Sequence, residues 1–537
     1  MNTPPDSSPS PTSSRPDHPV HFTPALARIV ATVSVGFVVT QLDVTIVNIA
    51  LARIATDLHA NVARLQWIVD AYTLAFAVLM LSGGVLGDRY GARRMYAAGL
   101  VVFALASLAC GIAANPVLLI AARALQGAGA AAMLPNSLAL LNEACRHERT
   151  LRARAVGLWT AAGAVSIAAG PIAGGLLIAA FGWRSIFLVN LPLCAAGLAA
   201  TLMWIPASRR AGAASASQAA SRDASQSASE AAPQAATSAD TPAQRPRSLD
   251  VRGQLLAVIA LTAFTGAVIE CRPLGFAHWA VWGGFVLALA AGAAFVALEA
   301  RIEAPMLPLA MLRNRTFSAA VLFGVCVNLT YYGTVFVLAL FLQHARGQSP
   351  LQAGLTFIPL TGGFLLSNIA SGHVVARYGT RLPMIGGALV AGLGYALLIP
   401  VDANTPLIAL LAAFLLIPAG MGLAVPAMTT TVLASVEPAR AGTASALLNT
   451  ARQAGGAVGV AAFGALTGGG AAAEVVSGLH ADTAISAALL LVAAWLAWNM
   501  RADAAHLAHQ AHPTHPAQAA TDAARTKASR QGKRAYE

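Results

Sequence analysis

Charge is what this chain has least of: 10% of its 537 residues are Asp, Glu, Lys or Arg, while 57% are hydrophobic. An ordinary soluble domain carries about a quarter of its residues as charges, so that class is excluded. Its five cysteines, at 110, 145, 194, 271 and 326, show no metal-ligand or disulfide-framework spacing, which leaves redox chemistry without support. No Walker A sequence, HExxH or GxSxG with a plausible triad is present, so ATP-driven pumping and hydrolysis are disfavoured; the expectation is a protein that is not an enzyme, with no cofactor and no metal. The first 22 residues, rich in Ser and Pro, lack the charged start and cleavage site of a signal peptide and read as a disordered tail. Alternating strand patterns of about ten residues, which a membrane β-barrel needs, are absent as well.

Long apolar runs fill the space that charge leaves. A helix needs about 20 mostly apolar residues to cross a bilayer, and such runs place spans near 26–50, 62–86, 95–114, 117–141, 154–180, 185–206, 253–270, 278–299, 317–342, 351–376, 382–400, 406–435, 441–467 and 480–500. The fold class expected is therefore an all-α integral membrane protein with fourteen transmembrane helices. Arg89, Arg93 and Arg94, the group Arg146, Arg149, Arg152 and Arg154, and the basic residues flanking 207–252 fall on one side of these spans. The positive-inside rule makes that side cytoplasmic, with both termini there. A net charge of +12 then reflects topology and anionic lipid headgroups, and does not imply nucleic acid.

Residues 207–252, rich in Ala, Ser, Gln and Pro, read as a flexible cytoplasmic linker. Across it the chain repeats: "LQWIVDAYTLAFAVLMLSGGVLGDRYGAR" from Leu65 is echoed from Leu351, and 115–135 is echoed by 405–426. The implied division is a tail (1–22), a six-helix bundle (23–206), the linker, two added helices (253–299), a second six-helix bundle (300–500) and a His-containing tail (501–537). Parallel repeats of this kind build transporters whose substrate site lies between the halves and which work by rocking one against the other.

Polar residues inside so apolar a chain need a reason. In "GVLGDRYGARR", Gly84 and Gly91 bracket the turn, Asp88 is placed to accept hydrogen bonds at a helix end, and Arg89, Arg93 and Arg94 anchor it; the stretch reads as a conformational latch, against a plain positive-inside turn. Its second copy, Arg377-Tyr378-Gly379, lacks the aspartate. Asp43, Asp70 and Arg123 lie within apolar spans at similar depth, where an ionised carboxylate costs about 2.5–3.5 kcal/mol unless it faces a cavity or a partner. An arginine level with two acids favours their charged forms while burial and like charge oppose them, which suits groups that take and release protons. A static ion pair that locks helices together is the alternative.

These stretches carry a resemblance. "GVLGDRYGARR" (84–94) resembles the signature loop of the major facilitator superfamily, and "LDVTIVNIAL" (42–51) resembles the first-helix motif of its fourteen-span drug/proton antiporter branch, the EmrB/QacA type. "RALQGAGAAAMLP" (123–135), "AAGPIAGG" (168–175), "WRSIFLVNLP" (183–192) and "LLNTARQAGGAVGVA" (447–461) agree. Ala52 stands where the pattern has proline, which bears on the outer end of helix 1, and Ser166 where glycine is common. The resemblance implies proton-coupled multidrug efflux by alternating access, with coupling at Asp43 and Arg123 and an antiporter-motif kink at Gly170, Pro171, Gly174 and Gly175; Asp70 is expected to share the coupling from its depth beside them.

Apolar and aromatic contacts suit lipophilic or cationic drug-like compounds, and Trp159, Tyr331, Tyr332, Asn449, Arg452 and Gln453 are candidates for lining the cavity. Gln126, Gly127 and Gly129 are expected to bring helices close, Glu270 to be a solvated helix end, and His373 an ordinary satisfied histidine; metal binding by His506, His509, His512 and His515 is disfavoured because Pro513 interrupts them. Expected partners are substrates, protons and membrane lipids, with a periplasmic adaptor and outer-membrane channel as further candidates and the bacterial inner membrane as the location. A transporter dedicated to a single metabolite is the alternative, and a transport-dead sensor or scaffold the more distant one.

Overall fold

The computed structural model describes residues 22–145, 148–206, 250–302, 309–437 and 440–500, and among them the secondary structure is helical, with no strand. The first half comprises α1 (Pro24–Asp57), α2 (Val62–Tyr90), α3 (Ala92–Gly111), α4 (Pro116–Ala144), α5 (Arg149–Phe181), α6 (Ser185–Leu188) and α7 (Asn190–Trp204). A hairpin follows, α8 (Val251–Leu274) and α9 (Trp279–Glu299). The second half holds α10 (Leu309–Leu312), α11 (Arg315–Leu340) with a π-turn at Phe341–Ala345, α12 (Pro350–Thr356), α13 (Ile358–Tyr378), α14 (Arg381–Leu398), α15 (Leu407–Ala434), α16 (Ala441–Leu466) and α17 (Ala472–Trp498).

Local chemistry sets these boundaries. Thr23, Asn61, Asn115 and Asn314 accept hydrogen bonds from the orphan amides at helix starts, and Ser349 with Gln352 forms a reciprocal capping box. Thirteen of the fourteen expected spans are helices long and apolar enough to cross a membrane. The remaining one, α16, is a 26-residue helix whose Asn449, Thr450, Arg452 and Gln453 make it less apolar. Two boundaries differ from expectation in ways that matter. Helix α1 runs on to Asp57 rather than ending near residue 50, because Ala52 leaves the backbone unbroken where a proline would have interrupted it. Helix α17 begins at Ala472 rather than near 480, since the polar residues Glu474, His480 and Asp482 are helical too.

The repeat is visible in the packing. In the first half α2 lies on α4, α3 on α4 and α7, and α1 on α5 and α7; in the second, α13 lies on α15, α14 on α15 and α17, and α11 on α16 and α17. The halves meet where α2 packs on α16 and α5 on α12 and α13, while α8 leans on α2 and α16 at the seam. Around the outside, Leu105, Leu118, Trp279, Leu289, Leu366 and Ile408 are exposed, an arrangement suited to lipid rather than water.

The two ends of the bundle differ. At one, which we call the far end, Arg184 binds Asp57 and the Ala113 carbonyl, joining three interhelical turns. Here a single apolar core runs through both halves, from Ile46–Ile54 of α1, Leu58 after it and Leu65–Val69 of α2 to Phe336–Leu342 and Phe357. Toward the near end, where α1 begins, a separate core of Leu26, Val33, Tyr72, Phe76, Tyr96 and Phe103 contains first-half residues only. Hydrogen bonds between the halves, among the described residues, follow the same division: Gln66 donates to the carbonyls of Val460 (3.1 Å) and Ala461 (2.7 Å), and Thr361 to that of Ala168 (3.5 Å). The halves are joined at the far end.

Candidate functional site

Asp43 on α1 and Arg123 on α4 are both buried, and the guanidinium Nη1 pairs directly with Asp43 Oδ2. The other carboxylate oxygen accepts from Gln126 Nε2 (2.8 Å) and Asn190 Nδ2 (3.2 Å). Gln126 also donates to Ser107 Oγ at 2.9 Å and accepts from Arg123 Nη1 at 2.7 Å, so α1, α3, α4 and α7 are tied into one polar network. Arg123 further donates Nε to the Ile68 carbonyl (3.1 Å) and lies over the Tyr72 ring, 4.3 Å from its centroid. Glycine makes this approach feasible: a Cβ at Gly127 would strike the Tyr72 carbonyl, and one at Gly129 would come within 2.8 Å of the Phe103 nitrogen. Gln126, expected only to help helices pack, is instead a ligand of the carboxylate.

Asp70 is also fully buried, yet neither of its oxygens has a hydrogen-bond partner among the described residues. The structure thus brings Asp43 and Arg123 together and leaves Asp70 apart from their network. An uncompensated carboxylate in such surroundings is tolerated far better protonated than ionised.

At the near end, α2 stops at Tyr90, and Gly91 turns the chain with φ +96°. Asp88 is exposed and makes no hydrogen bond or ion pair among the described residues, contrary to the expected acceptor role. The polar tie lies deeper: Asn136 of α4 donates to the Gly83 carbonyl at 2.9 Å, and any side chain at Gly87 would collide with the Asn136 amide. Gly84 has only an ordinary contact with Pro135, so Gly83 and Gly87 rather than Gly84 seat α2 on α4. Arg93 reaches the carbonyls of Thr201 (3.4 Å) and Leu202 (2.9 Å), Arg89 lies beside the Tyr90 ring, and Arg94 is exposed.

Helix α5 continues through Pro171 to Phe181. Gly170 and Gly174 lie against Thr45 and Ile46 of α1. A Cβ at Gly175 would sit 2.8 Å from Leu351 Cα, and Gly354 abuts the Pro171 carbonyl. This motif is part of the far-end junction between halves, a placement that required knowing which helix faces it.

The aromatic candidates fall on both sides of the seam. Trp159 stacks on Phe37 (4.1 Å between centroids), while Tyr331 meets Tyr332 edge-on (5.5 Å) and Phe364 (6.0 Å). Arg452 donates Nε to Asn328 Oδ1 at 3.1 Å; Asn449 and Gln453 are half-buried beside it without a hydrogen bond of their own among the described residues. Glu270 is not simply solvated: half-buried, it accepts from Trp67 Nε1 at 3.4 Å. His373 is exposed rather than satisfied inside the fold. The tail histidines, most of the linker and Arg146 lie outside the described residues.

Comparison with known proteins agrees with this architecture. A family model described as Major Facilitator Superfamily matches residues 33–460. The chain is 37% identical to the methylenomycin A resistance protein of Streptomyces coelicolor, over 82% of this chain and 85% of that one. It is 33% identical to the multidrug resistance protein Stp of Mycobacterium tuberculosis, over 82% and 75% of the respective lengths. Among solved structures, the nucleoside transporter NupG superposes with a TM-score of 0.57 at 13% identity, covering 89% of this chain and 99% of that one, a likeness of fold.

Proposed function

The chain belongs to the Major Facilitator Superfamily, and from that premise we propose that it is a drug efflux transporter of the fourteen-span antiporter branch, exchanging lipophilic or cationic compounds for protons by alternating access. Drug export follows from the relatives, named for resistance to methylenomycin A and to multiple drugs. Proton coupling rests on one observation: a buried Asp43–Arg123 pair in apolar helices, with the unpartnered acid Asp70 on the neighbouring α2. Rocking the halves changes the wetting of this region, and with it the balance between an ionised Asp43 held by Arg123 and a protonated one released from it.

The basic near end is cytoplasmic and the membrane is the bacterial inner membrane, so the halves are joined on the outer side and the pathway between them faces the cytoplasm. Protons and drug-like small molecules are the ligands. The aromatic residues Trp159, Tyr331 and Tyr332, with Asn449, Arg452 and Gln453, line the route. The 84–94 loop is the latch, and a periplasmic adaptor and outer-membrane channel are partners in onward export. Because the methylenomycin A relative is named for a single compound, a narrow-range exporter is the second reading.

The test is uptake into inside-out proteoliposomes with an imposed pH gradient, acid inside, using a panel of lipophilic cations. Accumulation of several compounds, abolished by a protonophore, is expected. Transport indifferent to the gradient contradicts antiport, and transport of one compound alone selects the narrow-range reading.

A further inference from the structure

Asp482 on α17 is a buried carboxylate that the site described above does not use. It is fully inaccessible, ten residues into a helix that crosses the bundle, and so well inside the apolar layer. Its Oδ1 accepts from Thr334 Oγ1 of α11 (2.9 Å) and from Ser486 Oγ (3.2 Å), while Oδ2 has no partner.

The neighbours contributed by each packed element are neutral or engaged elsewhere. Helix α14 presents the Tyr395 phenol, beside Thr330 and Thr334 of α11. From α16, Arg452 is turned to Asn328; the π-turn's His344 faces the Gly470 carbonyl; on α17 itself, His480 meets the Val401 carbonyl. Helix α15, the second-half counterpart of the helix bearing Arg123, contains no charged residue. Among the described residues no cation pairs with Asp482, and only the two hydroxyls donate to it.

Placement within the repeat makes this more than a stray acid. In the first half the carboxylate is on the first helix, Asp43, and the sixth helix answers with Asn190 at 3.2 Å. In the second half the first helix offers Thr334 and the carboxylate is on the sixth. Residues 43 and 334, and 190 and 482, are separated by nearly equal lengths of chain, so the same interhelical contact occurs twice with acid and neutral partner exchanged.

We propose that Asp482 is a second proton-carrying site, in the second half of the transporter. It holds its proton while the second half stays closed over it, and gives it to water when rocking of the halves wets the face of α11 that carries Thr334. The inference rests on the antiport reading. An acid held by arginine can keep its charge while buried, whereas one with only hydroxyl donors is tolerated best with its proton on, so the two sites give protons up under different conditions.

The experiment is difference infrared spectroscopy of the full chain in lipid, between acid and alkaline pH and with and without tetraphenylphosphonium. In parallel, dye-detected proton movement during tetraphenylphosphonium transport is recorded for wild type and Asp482→Asn. A carboxylic-acid C=O band present in wild type, missing in Asp482→Asn and diminished by alkali or by the cation is expected, together with partial loss of proton movement in the variant. Identical wild-type and Asp482→Asn difference spectra overturn the proposal, as does a band indifferent to pH and cation. Thr334→Val, which keeps the acid but removes the nearer of its two donors, should move the band; an unmoved band also overturns the assignment. Transport without any proton movement in wild type refutes antiport itself, whereas a titrating band with intact coupling in Asp482→Asn refutes only the second site.

Discussion

Asp43 is held by three donors from two other helices, and the cost of burying it is met only while all remain in place. Arg123→Gln strands the carboxylate and should lower stability by about 3–5 kcal/mol, read as a fall in melting temperature in detergent. Asp43→Asn together with Arg123→Gln should recover most of that loss, because a neutral pair leaves no uncompensated charge. Strictly additive losses in the double variant would show that the two residues do not act as a pair. Asp43 and Arg123 were legible in the sequence because a charge inside an apolar run is conspicuous. Ser107 and Asn190 were not, since a serine or asparagine in such a run is unremarkable until the facing helix is known. Asp482 was hidden by a boundary: with the last span begun near 480 it falls at a solvated rim, and only the start at Ala472 carries it inside.

At the scale of elements, glycine sets how closely α5 and α12 approach. Gly354→Val places a branched side chain against the Pro171 carbonyl and should pry the far-end junction apart. Alkylation of a cysteine at the buried position Thr361, in a Cys271→Ser background, reports on it: the rate should rise several-fold when Gly354→Val is added. An unchanged rate would mean that this contact does not hold the junction. The motif at 170–175 was recognisable from its spelling, but its place between halves was not, because Gly175 meets Leu351 across the seam rather than through any local pattern. Similarly, Gly84 and Asp88 drew notice in the 84–94 loop, whereas Asn136, on another helix, bonds to the Gly83 carbonyl.

The whole molecule was the most legible level, since hydrophobic run lengths and an internal repeat survive errors of several residues at each boundary. The repeat predicts matched halves, and matching helix pairs pack in both. Conformation lay beyond the sequence: one core spans both halves at the far end and another is confined to the first half near the other end, a difference set by which of two packings is adopted. In the proposed orientation the joined end is the outer one. Whether export is coupled to protons is decided by substrate-triggered proton movement in sealed proteoliposomes, comparing wild type with Asp43→Asn at equal folded yield. Proton movement in wild type that is lost in Asp43→Asn is the result predicted; undiminished movement in the variant would contradict the account.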